Sequence, residues 1–412
     1  MSDKKIELMA PAGNFDSLQA ALDNGADSIY FGVDQLNMRA RSSINFVLDD
    51  LEEIVSRCGL KGVKSYLTLN TIIYDNDLYV IKTLINKAKE VGITAVIASD
   101  QAVINYAFSQ NMEVHISTQL NITNIETVKF YSNFADTMVL SRELSLSQIA
   151  KITKQIKVQQ IKGPSGNLIE IEIFGHGALC VAVSGKCYMS LHTYNSSANR
   201  GACKQNCRKK YTVIDKESGV ELEIDNEYIM SPKDLCTIDI IDQVIGSGIN
   251  ILKIEGRGRA PEYVSKVISQ YREAIDDYYL GNYSVEKVNN WITELKKVYN
   301  REFWSGYYLG QKLGEFSKHS GSHATQKKVF VGRGYHYYSD ARIGEFEINA
   351  CDVAVGDNLI TIGPTTGVKE FKVKSIMVND EIVDVAKKGN RCTIPVDFII
   401  RSSDRLYKIM EV

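Results

Sequence analysis

The chain has 412 residues, of which 44% are apolar, and its formal net charge at pH 7 is −2. This length exceeds what one hydrophobic core usually supports, so we expect one large domain together with a smaller one. The near-neutral charge excludes a whole-molecule attraction to nucleic acid. Any such binding must therefore come from a local basic surface.

The N-terminal residues, MSDKKIELMAPAGN, are charged and lack the apolar stretch of a secretory signal. No run of eighteen apolar residues occurs in the sequence, and we expect a cytoplasmic protein that does not contact a membrane. Structural disulfides are rare in that reducing compartment. Clustered cysteines therefore indicate metal binding or catalysis.

Residues 1–260 alternate short β-rich runs with amphipathic helical patterns, which is typical of βα units around a parallel sheet. The eight runs begin at Ile6, Asp27, Ser65, Thr94, Glu113, Asp136, Ile169 and Ile249. Eight such units predict an α/β fold of the TIM type, a (β/α)8 barrel. An open doubly wound sheet is the alternative, but the first run is followed by PAGN rather than by a glycine-rich phosphate turn.

The connection after the seventh run is unusually long, at about residues 180–232, and it contains four cysteines and a predicted hairpin at 209–229. Residues 261–320 are predicted to form a helical extension that ends in a polar linker. Residues 325–412 consist of short strands separated by glycine and asparagine turns, which predicts a small C-terminal β-barrel domain. Because long loops at the C-terminal ends of barrel strands carry function, we expect the active site there.

Alternate side chains of a barrel strand face inward, where branched apolar residues normally stack, but four of these runs place polar residues there. The catalytic candidates are His115, Gln119, Arg142, Glu143, Glu172, His176, Lys253, Glu255 and Arg257. The candidates for substrate binding are Arg39, Arg41, Asn70, Asn121 and Arg257. Buried charges must pair with each other or meet a polar ligand. A solvated mouth with internal ion pairs is one interpretation, and we favour a pocket for a small molecule that carries carboxylates.

Four of the eight cysteines, Cys180, Cys187, Cys203 and Cys207, follow the spacing C-x6-C-x15-C-x3-C. Four thiolates can bind zinc or hold an iron-sulfur cluster, and their softness alone does not decide between the two. The alternatives are four unrelated buried thiols, or a Cys180 nucleophile activated by His176. The other four cysteines, Cys58, Cys236, Cys351 and Cys392, are predicted to be small core residues.

A basic run without an acidic residue lies beside the last two of these cysteines. It contributes Arg200, Lys204, Arg208, Lys209 and Lys210. Such a run could contact RNA phosphates in a salt-dependent manner, or it could only balance acidic residues nearby.

Several segments, taken in chain order, resemble the collagenase-like peptidase family U32. They are PAGN, MRARSSINF from Met38, STQLN from Ser117, LSREL from Leu140, EIFGHGALCVAVSGKCYMS from Glu172, SPKDLC from Ser231 and KIEGR from Lys253. The β-rich tail is also similar to the C-terminal domain of part of that family. The resemblance therefore spans the whole chain.

Branches of this family hydroxylate RNA or take part in oxygen-independent ubiquinone hydroxylation, and the chain is most similar to the tRNA branch. The resemblance implies hydroxylation of the wobble uridine at carbon 5, with the tRNA anticodon region as partner and prephenate, a dicarboxylate, as co-substrate. It also implies a four-iron four-sulfur cluster on the four clustered cysteines. A peptidase remains the alternative, although the sequence lacks H-E-x-x-H, G-x-S-x-G, D-T-G and D-S-G motifs. A non-enzymatic scaffold would gain nothing from the inward charges.

Overall fold

A closed barrel of eight parallel strands forms the main body of the protein. The structure is a computed structural model, and it describes residues 5–34, 36–41, 45–212, 216–217, 228–319 and 321–412. The first ten strands are β1 (Glu7–Pro11), β2 (Ser28–Phe31), β3 (Lys64–Leu69), β4 (Ala95–Ala98), β5 (Glu113–Ile116), β6 (Thr137–Val139), β7 (Glu170–Gly177), β8 (Asp234–Cys236), β9 (Ile251–Ile254) and β10 (Phe303–Trp304). Strands β1 to β7 pair in order, and β9 closes the ring by pairing in parallel with both β7 and β1. Strand β8 pairs antiparallel with β7 and carries β10 on its other side. The predicted TIM-type barrel is confirmed.

Helices cover the outside of the barrel. They are α1 (Phe15–Asp23), α2 (Leu51–Leu60), α3 (Leu78–Val91), α4 (Gln101–Ser109), α5 (Ile125–Tyr131), α6 (Leu146–Gln159), α7 (Met189–Tyr194), α8 (Ile241–Gly246), α9 (Pro261–Leu280) and α10 (Val285–Lys296). Local sequence sets their ends: the Asn14 side chain accepts a hydrogen bond from the Ser17 N–H at the start of α1, and α9 begins with Pro261 and ends at Gly281, whose φ is 73°. Helix α9 follows β9 and packs against α1, so it is the last helix of the barrel rather than a separate extension.

The hydrophobic core lies mainly between the strands and the helices. Residues such as Leu8, Phe31 and Leu67 fill this outer layer and are fully buried. Inside the barrel, the described residues form a small separate apolar cluster, made of Met9, Tyr30, Tyr66, Ala95, Ile97 and Ile251. The space above and below this cluster is left for the inward polar residues.

The C-terminal region is an antiparallel sheet domain. Its strands are β11 (Gln326–Tyr338), β12 (Ile343–Ile348), β13 (Val353–Ala354), β14 (Asn358–Gly363), β15 (Gly367–Lys372), β16 (Ile376–Val378), β17 (Glu381–Val383), β18 (Val385–Ala386), β19 (Arg391–Pro395) and β20 (Arg405–Glu411). Eight of them form one sheet in the order β15-β14-β20-β11-β12-β19-β16-β17, and β13 pairs with β18. Within residues 321–412 the edge strands β15 and β17 do not pair with each other, so an open sheet replaces the small closed barrel that the sequence predicted. Bulges in β11 after Phe330 and Gly334 bend this sheet around its own core.

This sheet docks on the first and last helices of the barrel. Val368 of β15 packs against the barrel core. Around this contact Lys369 pairs with Asp23 at 3.4 Å, Lys328 pairs with Glu262 at 2.8 Å, and Arg405 pairs with Asp16. Among the described residues, the two parts of the chain therefore meet through an apolar contact together with several ion pairs.

The long connection between β7 and β8 contains α7 and the clustered cysteines. The hairpin predicted at 209–229 falls largely on residues outside the described ranges. Among the helices that the structure describes, none combines the length and the apolar character needed to cross a membrane.

Candidate active site at the barrel mouth

A cavity of about 400 Å³ opens at the C-terminal ends of the barrel strands, below the cysteine-bearing connection. A second cavity, of about 590 Å³, lies at the opposite end and is lined by residues such as Glu113, Asp136 and Asn250. Active sites of TIM barrels lie at the C-terminal face, so the first cavity is the candidate site.

Glu172 is a buried carboxylate beneath this cavity. It faces Lys253, which lines the cavity, and His115, which does not. Its Oε1 lies 2.7 Å from Nζ of Lys253, and its Oε2 lies 3.8 Å from Nδ1 of His115, which is an ion-pair distance but too long for a hydrogen bond. Burial on its own would lower the pKa of His115, but Glu113 and Glu172 raise it to about 9. His115 is therefore a buried imidazolium at neutral pH, and Glu172 neutralises charge on both sides.

A second ion pair stands at the wall of the cavity. Arg39 Nη2 lies 2.6 Å from Glu255 Oε1, and the Tyr30 hydroxyl donates a hydrogen bond to Oε2 at 3.0 Å. Burial alone would raise the pKa of Glu255, but Arg39, Arg257 and these hydrogen bonds lower it to about 2. Glu255 stays ionised and fixes the orientation of Arg39.

Four arginines that line the cavity have no carboxylate partner among the described residues. Arg208 donates to backbone carbonyls, and the other three are Arg142, Arg257 and Arg259. Arg257 donates from Nη1 to Asn37 and Thr68, at 3.0 and 2.8 Å, and its buried Nε has no partner. Arg142 donates to the Ser184 hydroxyl at 2.7 Å, and the Arg259 guanidinium stacks 3.6 Å from the centre of the Tyr299 ring. Within the described part of the chain, none of these three arginines forms an ion pair.

The cavity therefore carries a large excess of positive charge. Its cationic side chains are Arg39, Arg142, Arg208, Lys253, Arg257, Arg259 and Arg301, and among the described residues Glu255 is the one acidic side chain that lines it. Such an excess suits an anionic ligand, and arginine forks suit carboxylates in particular.

Amides from two strand ends complete the cavity wall. The Asn70 side chain lies 3.3 Å from the Ser117 hydroxyl and 3.4 Å from Gln119 Oε1. Asn121, which has a φ of 51°, donates to the backbone carbonyl of Ser184 at 3.0 Å. It therefore anchors the cysteine-bearing connection and does not line the cavity.

His176 lies outside the barrel lumen, contrary to the prediction. A bulge between Phe174 and His176, in the pairing with β9, reverses the inward-outward alternation. The imidazole packs against the Tyr271 and Phe303 rings, and burial lowers its pKa to about 3. This position does not support activation of a Cys180 nucleophile by His176.

Two other predicted site residues, Glu143 and Arg41, are exposed and do not line the cavity. Two cationic side chains of the cavity were missed from the sequence. Arg259 is the next alternate residue after Lys253, Glu255 and Arg257, so the sequence pattern could have identified it. Arg301 comes from a distant segment, and no pattern in the neighbouring residues indicates that it reaches the cavity.

All four clustered cysteines line this one cavity. Burial raises the pKa of the Cys207 thiol to about 11, and Arg208 opposes this shift. The thiols of Cys180, Cys187 and Cys203 raise the same pKa further, so the four thiols lie close enough to interact electrostatically. In the ranges that the structure describes, no three His, Cys, Asp or Glu side chains already stand at the spacing of ligands to one metal ion. The remaining cysteines Cys58, Cys236 and Cys392 are buried as predicted, and Cys351 is half-buried.

The predicted RNA-binding run divides into two groups. Arg200 pairs with Asp77 and stacks 4.3 Å from the centre of the Tyr74 ring, and Arg208 donates to the Leu179 carbonyl at 2.7 Å. These two arginines fold the connection onto the barrel. The exposed members of the run are the lysines Lys204, Lys209 and Lys210.

A (β/α)8 barrel with a cation-lined cavity at its C-terminal mouth is the architecture of a TIM-barrel enzyme. The model of peptidase family U32 matches residues 13–318, and the chain belongs to this family.

Relatives of the chain have two kinds of name. A protein of Porphyromonas gingivalis named collagenase is 52% identical, and the match covers 99% of both chains. The tRNA hydroxylation protein P1 of Bacillus subtilis is 33% identical over 82% of this chain and 79% of its own. A 23S rRNA 5-hydroxycytidine synthase of Escherichia coli is 34% identical over 67% of this chain and 40% of its own. Enzymes that act on RNA and enzymes named as peptidases are thus both represented.

Proposed function

We propose that the chain hydroxylates tRNA, adding a hydroxyl group to carbon 5 of the wobble uridine, with prephenate as co-substrate. The observation that carries this proposal is that Arg142, Arg257 and Arg259, which have no carboxylate partner among the described residues, line the same cavity as four thiols. Related proteins are named for the hydroxylation of tRNA and for the synthesis of a hydroxylated cytidine in rRNA.

A dicarboxylate suits this cavity because its cations come from the ends of different strands. Arg142 follows β6, whereas Arg257 and Arg259 follow β9 on the other side of β7. Two carboxylates on one small molecule could therefore each meet an arginine fork. Lys253 adds charge at the floor, where Glu172 holds it.

The four cavity cysteines are the proposed ligands of a four-iron four-sulfur cluster, with zinc as the alternative. Four thiols around one cavity are a donor set that soft metals prefer. With a cysteine on each iron, such a cluster supplies electron transfer or structural support rather than an open coordination position. Iron, sulfide and zinc content of anaerobically purified protein would decide between cluster and zinc.

Mass spectrometry of tRNA nucleosides tests the proposed reaction. In cells that lack the protein, 5-hydroxyuridine should disappear from the wobble position, and re-expression of the wild type should restore it. Arg257→Met should fail to restore it, whereas Arg333→Met, an arginine of the C-terminal sheet that is 62% exposed, should succeed. Unchanged nucleosides in the deletion strain would refute the proposal.

A peptidase is the second candidate, favoured by the 52% identity to a protein named collagenase. The anaerobically purified chain should be incubated with casein and collagen. Cleavage that is lost in Arg257→Met and kept in Arg333→Met would assign peptidase activity to the same cavity.

A further inference from the structure

The connection above the cavity is the most basic segment of a chain whose net charge is −2. Residues 178–212 contain no Asp or Glu, and their Lys and Arg residues are Lys186, Arg200, Lys204, Arg208, Lys209 and Lys210. Because Arg200 and Arg208 are used in internal contacts, the exposed charge comes from the lysines. This surface complements a polyanion at the entrance of the cavity.

Tyr188 belongs to this basic segment, two residues after Lys186, and it is 75% exposed. Its chain neighbours Cys187 and Met189 both line the cavity, so the ring stands at the rim. Two other exposed tyrosines of this region already have a cation over the ring: Arg200 stacks on Tyr74, and Lys209 lies over Tyr194. Among the described residues, no aromatic ring or cation packs on Tyr188.

The backbone below this ring is held in place. The Tyr188 carbonyl accepts a hydrogen bond from the His192 N–H at 2.9 Å, and the buried Ser190 hydroxyl accepts one from the Lys204 N–H at 2.9 Å. Asn206 donates to the Met189 carbonyl at 3.3 Å. An exposed ring on an ordered support loses little conformational freedom when a flat partner stacks on it.

We propose that Tyr188 is a stacking platform for an unpaired nucleobase of the RNA substrate, beside the cavity that receives the target base. This inference rests on the proposed function, and it names the contact that selects single-stranded over double-stranded RNA. Aromatic faces bind unstacked bases without sequence preference, and nearby lysines attract the phosphates between them.

Fluorescence anisotropy with two labelled RNAs tests the proposal. One is a hairpin with a seven-nucleotide loop, and the other is a blunt duplex with the same number of phosphates. Tyr188→Ala should weaken hairpin binding about 5- to 100-fold, whereas Tyr188→Trp should retain it. Binding of the duplex should change little. Phe130→Ala on α5, which removes an aromatic side chain that is 61% exposed, should leave both affinities unchanged.

A lysine variant separates stacking from charge. Replacing Lys186 and Lys204 by methionine should reduce the slope of log affinity against log salt for both RNAs, because fewer counterions are released. Tyr188→Ala should keep the wild-type slope. Equal iron content and equal melting temperature in Tyr188→Ala and the wild type would show that the substitution leaves the cavity intact.

The outcomes distinguish this inference from the proposed function. Wild-type protein that binds neither RNA would overturn both. Hairpin binding that is unaffected by Tyr188→Ala, or lost equally for hairpin and duplex, would overturn the stacking role alone. A Tyr188→Ala variant that loses gelatin binding but keeps RNA binding would assign the platform to a peptide instead.

Discussion

Replacing Glu172 by glutamine should destabilise the barrel strongly. Glu172 is 0% exposed and neutralises Lys253 at 2.7 Å and His115 at 3.8 Å. Glutamine has nearly the same shape but no charge, so the buried Lys253 would lose its counter-ion and, among the described residues, the buried His115 would keep only Glu113, at 3.2 Å. Removing one partner of a buried pair costs about 3–5 kcal/mol, and we expect the free energy of unfolding to fall by about that amount.

Urea unfolding followed by tryptophan fluorescence measures this change in the right part of the molecule. The two tryptophans of the chain, Trp291 and Trp304, are both buried in the core of the barrel, so the signal reports the barrel rather than the C-terminal sheet. Glu126→Gln is the matched control, because Glu126 is 74% exposed and pairs with Lys129 at the surface. It should change the free energy of unfolding by less than about 0.5 kcal/mol.

Glu172 and His115 also make the free energy of unfolding depend on pH. The pKa of His115 is raised to about 9, above the usual value of about 6.5 in an unfolded chain. Its stabilising contribution is therefore fully present below about pH 6.5 and is lost as the pH rises through about 9. At about 1.36 kcal/mol per pH unit the loss is on the order of 3 kcal/mol. Glu172→Gln should reduce this pH dependence. A loss below about 1 kcal/mol in Glu172→Gln at pH 7, or a pH dependence equal to the wild type, would refute the reasoning.

Three further predictions concern the cavity and the connection above it. Arg257→Met should weaken prephenate binding by about 10- to 100-fold in calorimetry, since a hydrogen bond to a charged group is worth about 1.5–3 kcal/mol, while Arg333→Met should bind normally. Cys203→Ser should lower the iron content of anaerobically purified protein, and Cys351→Ser should retain it; equal iron in both would contradict the ligand assignment. Arg208→Met should speed proteolysis within residues 178–212 several-fold, because the guanidinium no longer holds the connection, and an unchanged cleavage rate would contradict that role.

The barrel was predictable from the sequence because each strand is a short β-rich run followed by a helical pattern, and all eight predicted runs contain a barrel strand. The inward positions of Glu172 and Lys253 followed from alternation along β7 and β9. The same rule failed at His176, because a single-residue bulge after Phe174 shifts the alternation and leaves no mark in the residue types.

Side-chain partners were less predictable than strand positions. The run from Arg200 to Lys210 indicated a basic surface, but the two arginines find acceptors elsewhere, in Asp77 and in backbone carbonyls. Arg301 reaches the cavity from beyond α10, a contact set by the tertiary fold rather than by local pattern.

The C-terminal sheet lies where the ring of strands is joined, since β1 and β9 pair there and α1 and α9 flank the join. Because the sheet contacts both helices, it stabilises the pairing of β1 with β9, and local unfolding of either strand first requires the sheet to separate from the helices. None of residues 321–412, which the structure describes in full, lines the cavity. Lys253, Glu255 and Arg257, in contrast, do line it, and they lie on β9 or directly after it. Loss of this domain would therefore disable the mouth from a distance by loosening β9, without removing a single group that lines the cavity, and faster hydrogen exchange in β9 would report that loosening.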